Sequence, residues 1–280
     1  MTPNHSDSPL ALISGASSGI GLDLAKAYAA RGWRLALLAR HPERLAQAVS
    51  QCQSLAPTAE VCGYSVDVDD AKAVQDSVAQ IRAQQGQPQL LILSAGIVQS
   101  IPFLDQSDDE FEALMQTNLL GSRRLAKAWL PAMLEQPQGQ ICFVSSLAGL
   151  IAPYGYSGYS ASKFALLGMA GALRQEVSPQ GITVSVLCPP EVDTPMVAQE
   201  RTYISPVARQ LKDLGGTLQV DTVTRATLSG LEKGRFLIIP GFRAKLSYHG
   251  ARLFPGLFGW AMQRIVNWAS KRYSRQHQAR

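Results

Sequence analysis

A short apolar run, Leu10 to Ser14, leads into Gly15-Ala16-Ser17-Ser18-Gly19-Ile20-Gly21, and a helical pattern through Leu22, Ala25 and Tyr28 follows at once. Glycines at this density let a chain turn sharply from strand to helix and bring its backbone against a ligand. The first N–H groups and the dipole of the helix then face the turn and attract phosphate. Such a unit fits an open α/β sheet carrying a dinucleotide pyrophosphate on its first turn, although the spacing is Gly-x-x-x-Gly-x-Gly rather than Gly-x-Gly-x-x-Gly. A tight connection with no ligand would use the same glycines.

The rest of the chain repeats the alternation. Strand-like runs at Trp33 to Ala39, Glu60 to Val66, Gln89 to Leu93, Ile141 to Val144, Thr183 to Leu187 and Phe236 to Ile239 are separated by helical patterns over 42–56, 69–85, 107–134, 159–177 and 221–233. This order predicts a doubly wound parallel sheet of Rossmann type, covered by helices on both faces. We expect a flexible N-terminus over 1–8, a single domain over 9–240 in which polar 195–220 forms a mobile substrate cover, and a basic amphipathic extension over 241–280. At 280 residues and 46% hydrophobic, the chain can bury a large core. The N-terminal residues do not read as a signal peptide, and no apolar run approaches the roughly 20 residues of a membrane span. Cys52, Cys62, Cys142 and Cys188 form no CxxC pair, and the last two fall in or beside buried-strand patterns. Reduced, packed thiols and a cytoplasmic location are expected.

Residues that can carry chemistry gather at the predicted strand ends. Arg40 stands where an acidic residue would bind the ribose 2′-hydroxyl of NAD; an arginine suits the 2′-phosphate of NADP, or is a plain surface residue ahead of the helix that Pro42 starts. Asp67 could accept from an adenine amine or cap the following helix. Ser94-Ala95-Gly96 offers small residues for a flat ring or ribose. Asn118, among apolar neighbours, needs hydrogen-bond partners if buried, whether as a structural residue or as part of a site. Ser145 and Ser146 end one strand, and after a Gly/Pro/Tyr loop Tyr159 and Lys163 share a helix face. An ammonium there should pull the phenol pKa down from about 10, giving a proton donor and acceptor. Cys188-Pro189-Pro190 and Thr194 form a rigid loop at another strand end.

Taken together, Ser14-Gly15-x-x-x-Gly19-Ile20-Gly21, Ser94-Ala95-Gly96, Asn118, Ser146, Tyr159-x-Ala161-Ser162-Lys163 and Pro189…Thr194 resemble the short-chain dehydrogenase/reductase family over roughly 9–240. The resemblance implies that Tyr159 protonates a carbonyl oxygen as hydride arrives, that Ser146 polarises that oxygen, and that Lys163 binds the nicotinamide ribose and lowers the phenol pKa. It implies that Asn118 holds a water linking Lys163 to solvent. Gly15, Ser17, Gly19, Ile20 and Gly21 would line the pyrophosphate, Arg40 the 2′-phosphate, Asp67 the adenine and Thr194 the carboxamide, with NADP(H) as cofactor. Leu93-Ser94 replaces the family's Asn-Asn and Pro190 its Pro-Gly glycine. Phe143-Val144-Ser145-Ser146, Pro189-Pro190-x-x-Asp193-Thr194-Pro195 and Glu200-Arg201-Thr202 are similar to the 3-ketodihydrosphingosine reductases. These reduce a long-chain lipid ketone to an alcohol in sphingolipid synthesis. Reduction of a 3-oxoacyl, steroid or xenobiotic ketone, and non-catalytic NADP-binding regulation, are the alternatives.

The net charge of +5 is unevenly placed: Lys233 to Arg280 carries ten Lys/Arg and no Asp or Glu, against 16 basic and 21 acidic residues elsewhere. Within it Phe254, Leu257, Phe258, Ala261, Met262, Ile265, Trp268 and Ala269 recur at helical spacing, opposite Gln263, Arg264, Asn267 and Lys271. A basic amphipathic helix with Trp260 and Trp268 suits an anionic membrane surface; packing on the protein would use the same stripe, and Pro255, Gly256 and Gly259 weaken the helix. The absence of an aromatic stacking platform or recognised binding motif argues against nucleic acid as partner. Homo-oligomerisation through the long helices is expected from the family.

Overall fold

The computed structural model describes residues 8–278, so all but Ser8 of the expected flexible N-terminus lies outside the described residues. Strands β1 (Leu10–Ser14), β2 (Arg34–Ala39), β3 (Val61–Ser65), β4 (Leu90–Leu93), β5 (Gly139–Val144), β6 (Ile182–Leu187) and β7 (Leu237–Ile238) form one parallel sheet in the order β3-β2-β1-β4-β5-β6-β7. The order reverses between β1 and β4, which opens the crevice where such sheets bind ligands. Ser14 pairs with Leu93 and Val144 with Leu187, so the turns that follow these strands leave the sheet side by side.

Strands covered on both faces read as continuous apolar runs. Leu12, Leu38, Leu91, Phe143 and Val186 face α3 (Ala71–Gln85), α5 (Ser122–Leu134) and α6 (Ser157–Val177). Their neighbours Ile13, Leu37, Ile92 and Cys142 face α1 (Gly19–Ala29), α2 (Pro42–Leu55) and α9 (Val220–Glu232). The period-two alternation of a strand thus divides one apolar sequence between two cores. All four cysteines are free, and all but Cys62 are buried.

The stretch expected as one helix over 107–134 has three parts. Ser107 and Glu110 form a reciprocal cap on α4 (Asp108–Leu114), a π-helical segment spans Met115–Gly121, and α5 continues. A π segment inside a helix re-aims the side chains it carries and often marks a functional place; Asn118 lies in its middle. The segment 195–220 contains α7 (Pro195–Glu200) and α8 (Pro206–Gly215), each opened by a proline and capped by a hydroxyl, Thr194 and Ser205.

The basic extension forms α10 (Phe242–Leu253) and α11 (Pro255–Gln278). Pro255 begins the second helix rather than weakening it, because the first position of a helix needs no N–H. The expected stripe is split: Ala269 is fully buried where α11 packs on the protein, and Ala261, Met262 and Ile265 are half-buried. Phe254, Leu257, Trp260 and Trp268 remain exposed. Among the described residues no helix is long and apolar enough to cross a membrane.

Candidate active site

The glycine turn is built for close approach. Gly15 and Gly19 adopt φ of 65° and 54°, where side-chain-bearing residues are strained. A Cβ on Gly15 would lie 2.8 Å from the Ser94 carbonyl, and one on Gly21 only 2.4 Å from the Gly15 carbonyl oxygen. Thr194 reaches the same turn, with its methyl 3.2 Å from a Cβ built on Gly19. The Ser14 hydroxyl accepts from the N–H groups of Ser94 at 3.1 Å and Ala95 at 3.2 Å, tying the first turn to the fourth. That tie holds the turn despite Ser94 standing in for an asparagine. Ser18 caps α1 without a side-chain bond, so among the described residues the first-turn N–H groups are left to a ligand or solvent, and half-exposed Ser17 and Ile20 border them.

The neighbouring strand ends continue the cradle on the β2 and β3 side. Arg40 is exposed at the end of β2, its carbonyl accepting from Ser65 at 3.1 Å, and among the described residues no carboxylate pairs with its guanidinium. Asp67 accepts from the Asp69 N–H at 3.0 Å, while the cap of α3 is Asp70. The capping alternative for Asp67 is therefore excluded. Positive-φ glycines, an unclaimed helix N-terminus and an unpaired arginine fit a nucleotide with an extra phosphate.

At the other end of the crevice, α6 presents Tyr159 and Lys163 from its first turns. Ser146 caps the short 3-10 turn Leu147–Gly149, accepting from Ala148 N–H at 3.1 Å, and its hydroxyl is near enough to favour the ionised form of the Tyr159 phenol. Lys163 is buried, donates to the Val144 carbonyl at 3.0 Å and stands 5.8 Å from the centre of the Tyr159 ring. Asn118 is fully buried. Its amide accepts from the Ile97 N–H at 2.8 Å and donates to the Ile97 carbonyl at 3.0 Å and the Ser162 hydroxyl at 2.9 Å. Ser162 donates in turn to the Tyr159 carbonyl at 2.7 Å. A Cβ on Gly96 would sit 2.9 Å from Asn118 Oδ1 and 3.4 Å from Lys163 Nζ, so Gly96, Asn118 and Lys163 converge on one point.

The electrostatics reverse one expectation. Tyr159 is pushed up to about 12, foremost by burial, with the Ser146 hydroxyl pulling it down and the Glu200 carboxylate and Cys188 thiol raising it. Burial likewise lowers Lys163 to about 8. At Tyr159 desolvation outweighs the Ser146 hydroxyl, the one group that favours the ionised form. Burial also lifts Cys188 to about 12, in keeping with an inert thiol.

The model of the short chain dehydrogenase family matches residues 9–204. The chain belongs to this family. As a short-chain dehydrogenase it is an oxidoreductase acting on C=O or CH–OH groups. It is 37% identical over 229 residues to 3-dehydrosphinganine reductase TSC10B of Arabidopsis thaliana, covering 81% of this chain and 68% of that one. It is 34% identical over 245 residues to the 3-ketodihydrosphingosine reductase of Bos taurus, covering 84% and 74%. The short-chain dehydrogenase from Sphingobium yanoikuyae in complex with NADPH has the same fold, with TM-score 0.75 at 28% identity over 92% of this chain and 95% of that one.

Several residues of the site make contacts that a sequence pattern does not show. Ser14 looks like the last residue of an apolar strand, and Ser145, whose hydroxyl donates to the Lys163 carbonyl at 3.1 Å, like a neighbour of Ser146. Tyr156, Glu191, Glu200 and Lys212 meet only in three dimensions.

Proposed function

We propose that this short-chain dehydrogenase uses NADPH to reduce the ketone of 3-ketodihydrosphingosine to dihydrosphingosine. The observation that carries the substrate is the likeness, over about four fifths of the chain, to reductases named for it. The complete Ser146, Tyr159 and Lys163 set supports the chemistry. NADPH, bound along Gly15, Ser17, Gly19, Ile20, Gly21, Asp67, Ala95, Gly96 and Thr194, would supply the hydride.

A phenol held well above neutral pH is protonated at working pH, the state a proton donor needs in the direction of reduction. Tyr159 gives its proton to the ketone oxygen, and Ser146 donates a hydrogen bond to that oxygen as it gains negative charge. Lys163 would hold the nicotinamide ribose and replenish the phenol. Asn118 serves that resupply through a water; since its amide is committed to Ile97 and Ser162, its main-chain carbonyl is the acceptor left for it. That carbonyl also accepts from the Ser122 hydroxyl at 3.1 Å.

Purified protein should oxidise NADPH selectively with 3-ketodihydrosphingosine in mixed micelles, beside a 3-oxoacyl ester, a ketosteroid and a small aromatic ketone. Brisk reduction of another ketone without sphingoid turnover would discard the substrate and keep the chemistry. Arg40→Asp should move the ratio of NADPH to NADH efficiency at least tenfold towards NADH, since a charge-assisted phosphate contact contributes about 1.5–3 kcal/mol. An unchanged ratio would assign the phosphate to another residue.

The same substrate lives in lipid, and the α10–α11 extension supports peripheral docking on an anionic membrane. Phe242, Leu246, Leu253, Phe254, Leu257 and Trp260 are all more than half exposed. Arg264 lies 5.4 Å from the Trp260 ring centre and Arg272 5.6 Å from that of Trp268, an interfacial pairing of cation and indole. With no acidic residue from Lys233 onward, nothing in the extension opposes attraction to anionic lipid. Leu257→Glu/Trp260→Glu should abolish co-sedimentation with phosphatidylglycerol vesicles while leaving turnover of a soluble ketone unchanged. Failure of the unaltered protein to bind such vesicles would remove the membrane from the reading.

A further inference from the structure

The cover helices hold a buried charge network one aromatic ring away from the reacting phenol. Glu200, the last residue of α7, is fully buried. Its Oε1 accepts from Tyr156 Oη at 2.7 Å, and its Oε2 pairs with Lys212 of α8. Lys212 Nζ reaches Glu191 at 2.8 Å and lies 5.6 Å from the centre of the Tyr156 ring. Glu191, in the loop after β6, also pairs with Arg201 and accepts from Thr217 Oγ1 at 2.7 Å. Two carboxylates are thus matched by one lysine and one arginine.

Burying an ion pair this deeply is a poor way to stabilise a fold, since desolvation offsets the attraction and well-packed apolar residues do as well. Its location is informative. Tyr156 is buried, and its ring meets Tyr159 edge-on with centroids 6.1 Å apart and planes at 63°. Ile204 and Ala208, from the link into α8 and from α8 itself, pack with both tyrosines and Val98. A buried tyrosine hydroxyl takes a hydrogen-bond partner, and that bond adds to packing in orienting the ring. Here that hydroxyl is held by Glu200, and Glu200 by Lys212. Burial and the adjoining carboxylate raise the Tyr156 phenol far above its ordinary range, so it stays a neutral donor to Glu200 and does not compete with Tyr159 as an acid.

We infer that Glu200 is a positioning residue for the reaction: through its bond to Tyr156 it sets the ring against which Tyr159 is aimed, and through Lys212 it seats the cover helix on that pair. The inference rests on the reading of Tyr159 as the proton donor. It adds a group outside the Ser146, Tyr159 and Lys163 set, and one remote from the nucleotide cradle.

The test uses the full chain with NADPH and 3-ketodihydrosphingosine micelles, with kcat expressed per NADPH-binding site so that unfolded protein does not count. Glu200→Leu and Tyr156→Phe should each lower kcat at least tenfold with NADPH affinity within twofold of wild type. Glu200→Gln, which keeps an acceptor for the Tyr156 hydroxyl, should recover most of the loss. The double variant Tyr156→Phe/Glu200→Leu should be no slower than the slower single one, because both changes remove the same link. Full kcat in Tyr156→Phe, or losses that multiply in the double variant, would overturn the inference, and the first of these decides the matter even if Glu200→Leu does not fold. Tyr159→Phe in the same assay separates the two levels: an active Tyr159→Phe removes the underlying reading, whereas an inactive one beside a fully active Tyr156→Phe removes only the role of Glu200.

Discussion

Tyr159→Phe will bind NADPH as tightly as the unaltered enzyme and turn over about 10²–10⁴-fold more slowly, the usual contribution of a positioned general acid. Phenylalanine keeps the ring that packs edge-on against Tyr156 and lies below Lys163, so the cradle and the fold lose little. The change removes one oxygen from a half-buried ring and leaves the ring's packing in place, so it should cost little stability. The neighbouring phenols are placed otherwise, and Tyr203 donates to the Val98 carbonyl at 3.1 Å. Tyr156 is already committed to Glu200, and Tyr154, more than a third exposed, has no lysine four residues on. The measurement pairs NADPH oxidation with a fluorescence titration of bound NADPH. Turnover within tenfold of wild type would deny Tyr159 the role of acid, and loss of NADPH binding would make it a binding residue instead.

What the sequence made legible is what local rules govern. Periodicity and glycine turns gave the strand order's raw material, and each strand was located to within a residue or two of its observed bounds, because apolar runs between polar helices have one reading in a sheet covered on both faces. The positions of Gly15, Gly19, Gly21, Ser146, Tyr159 and Lys163 follow from strand ends and helix starts in the same way. The π segment around Asn118 was not legible, since one widened turn barely disturbs a 3.6-residue pattern. Nor was the division of the C-terminal stripe: periodicity defines an apolar face but not how much of it meets the protein, and α11 buries Ala269 while leaving Trp260 and Trp268 outside. The sign of the Tyr159 shift is not legible for a related reason. Spacing reports that a lysine is near, whereas dryness is set by everything packed around the pair, and here desolvation is the larger effect. Glu200 is 44 residues from its tyrosine and 12 from its lysine, separations that no local rule connects.

Gly21→Ala will weaken NADPH binding at least about 100-fold, close to 2.7 kcal/mol, and lower the thermal midpoint by several degrees. On propensity alone the sign should be the opposite, because alanine is favoured over glycine in a helix by about 1 kcal/mol. Packing decides it. The new Cβ would meet the Gly15 carbonyl oxygen at 2.4 Å and its carbonyl carbon at 2.9 Å, both backbone atoms with no rotamer to yield. Gly15 cannot retreat, since its own Cα faces Ser94 and Ala95 at a distance that already excludes a methyl group. The first turn of α1 must therefore lift away from β1, at an overpacking cost of about 1–3 kcal/mol, and the N–H groups proposed to hold the pyrophosphate move with it. Gly168, in the middle of α6 with nothing within 4 Å of a built Cβ, supplies the control. Gly168→Ala should raise the thermal midpoint and leave NADPH affinity unchanged, so the two substitutions, identical in chemistry, should act with opposite sign. If Gly21→Ala instead binds NADPH as tightly as wild type, the glycine turn is a tight connection only, and the pyrophosphate must sit elsewhere.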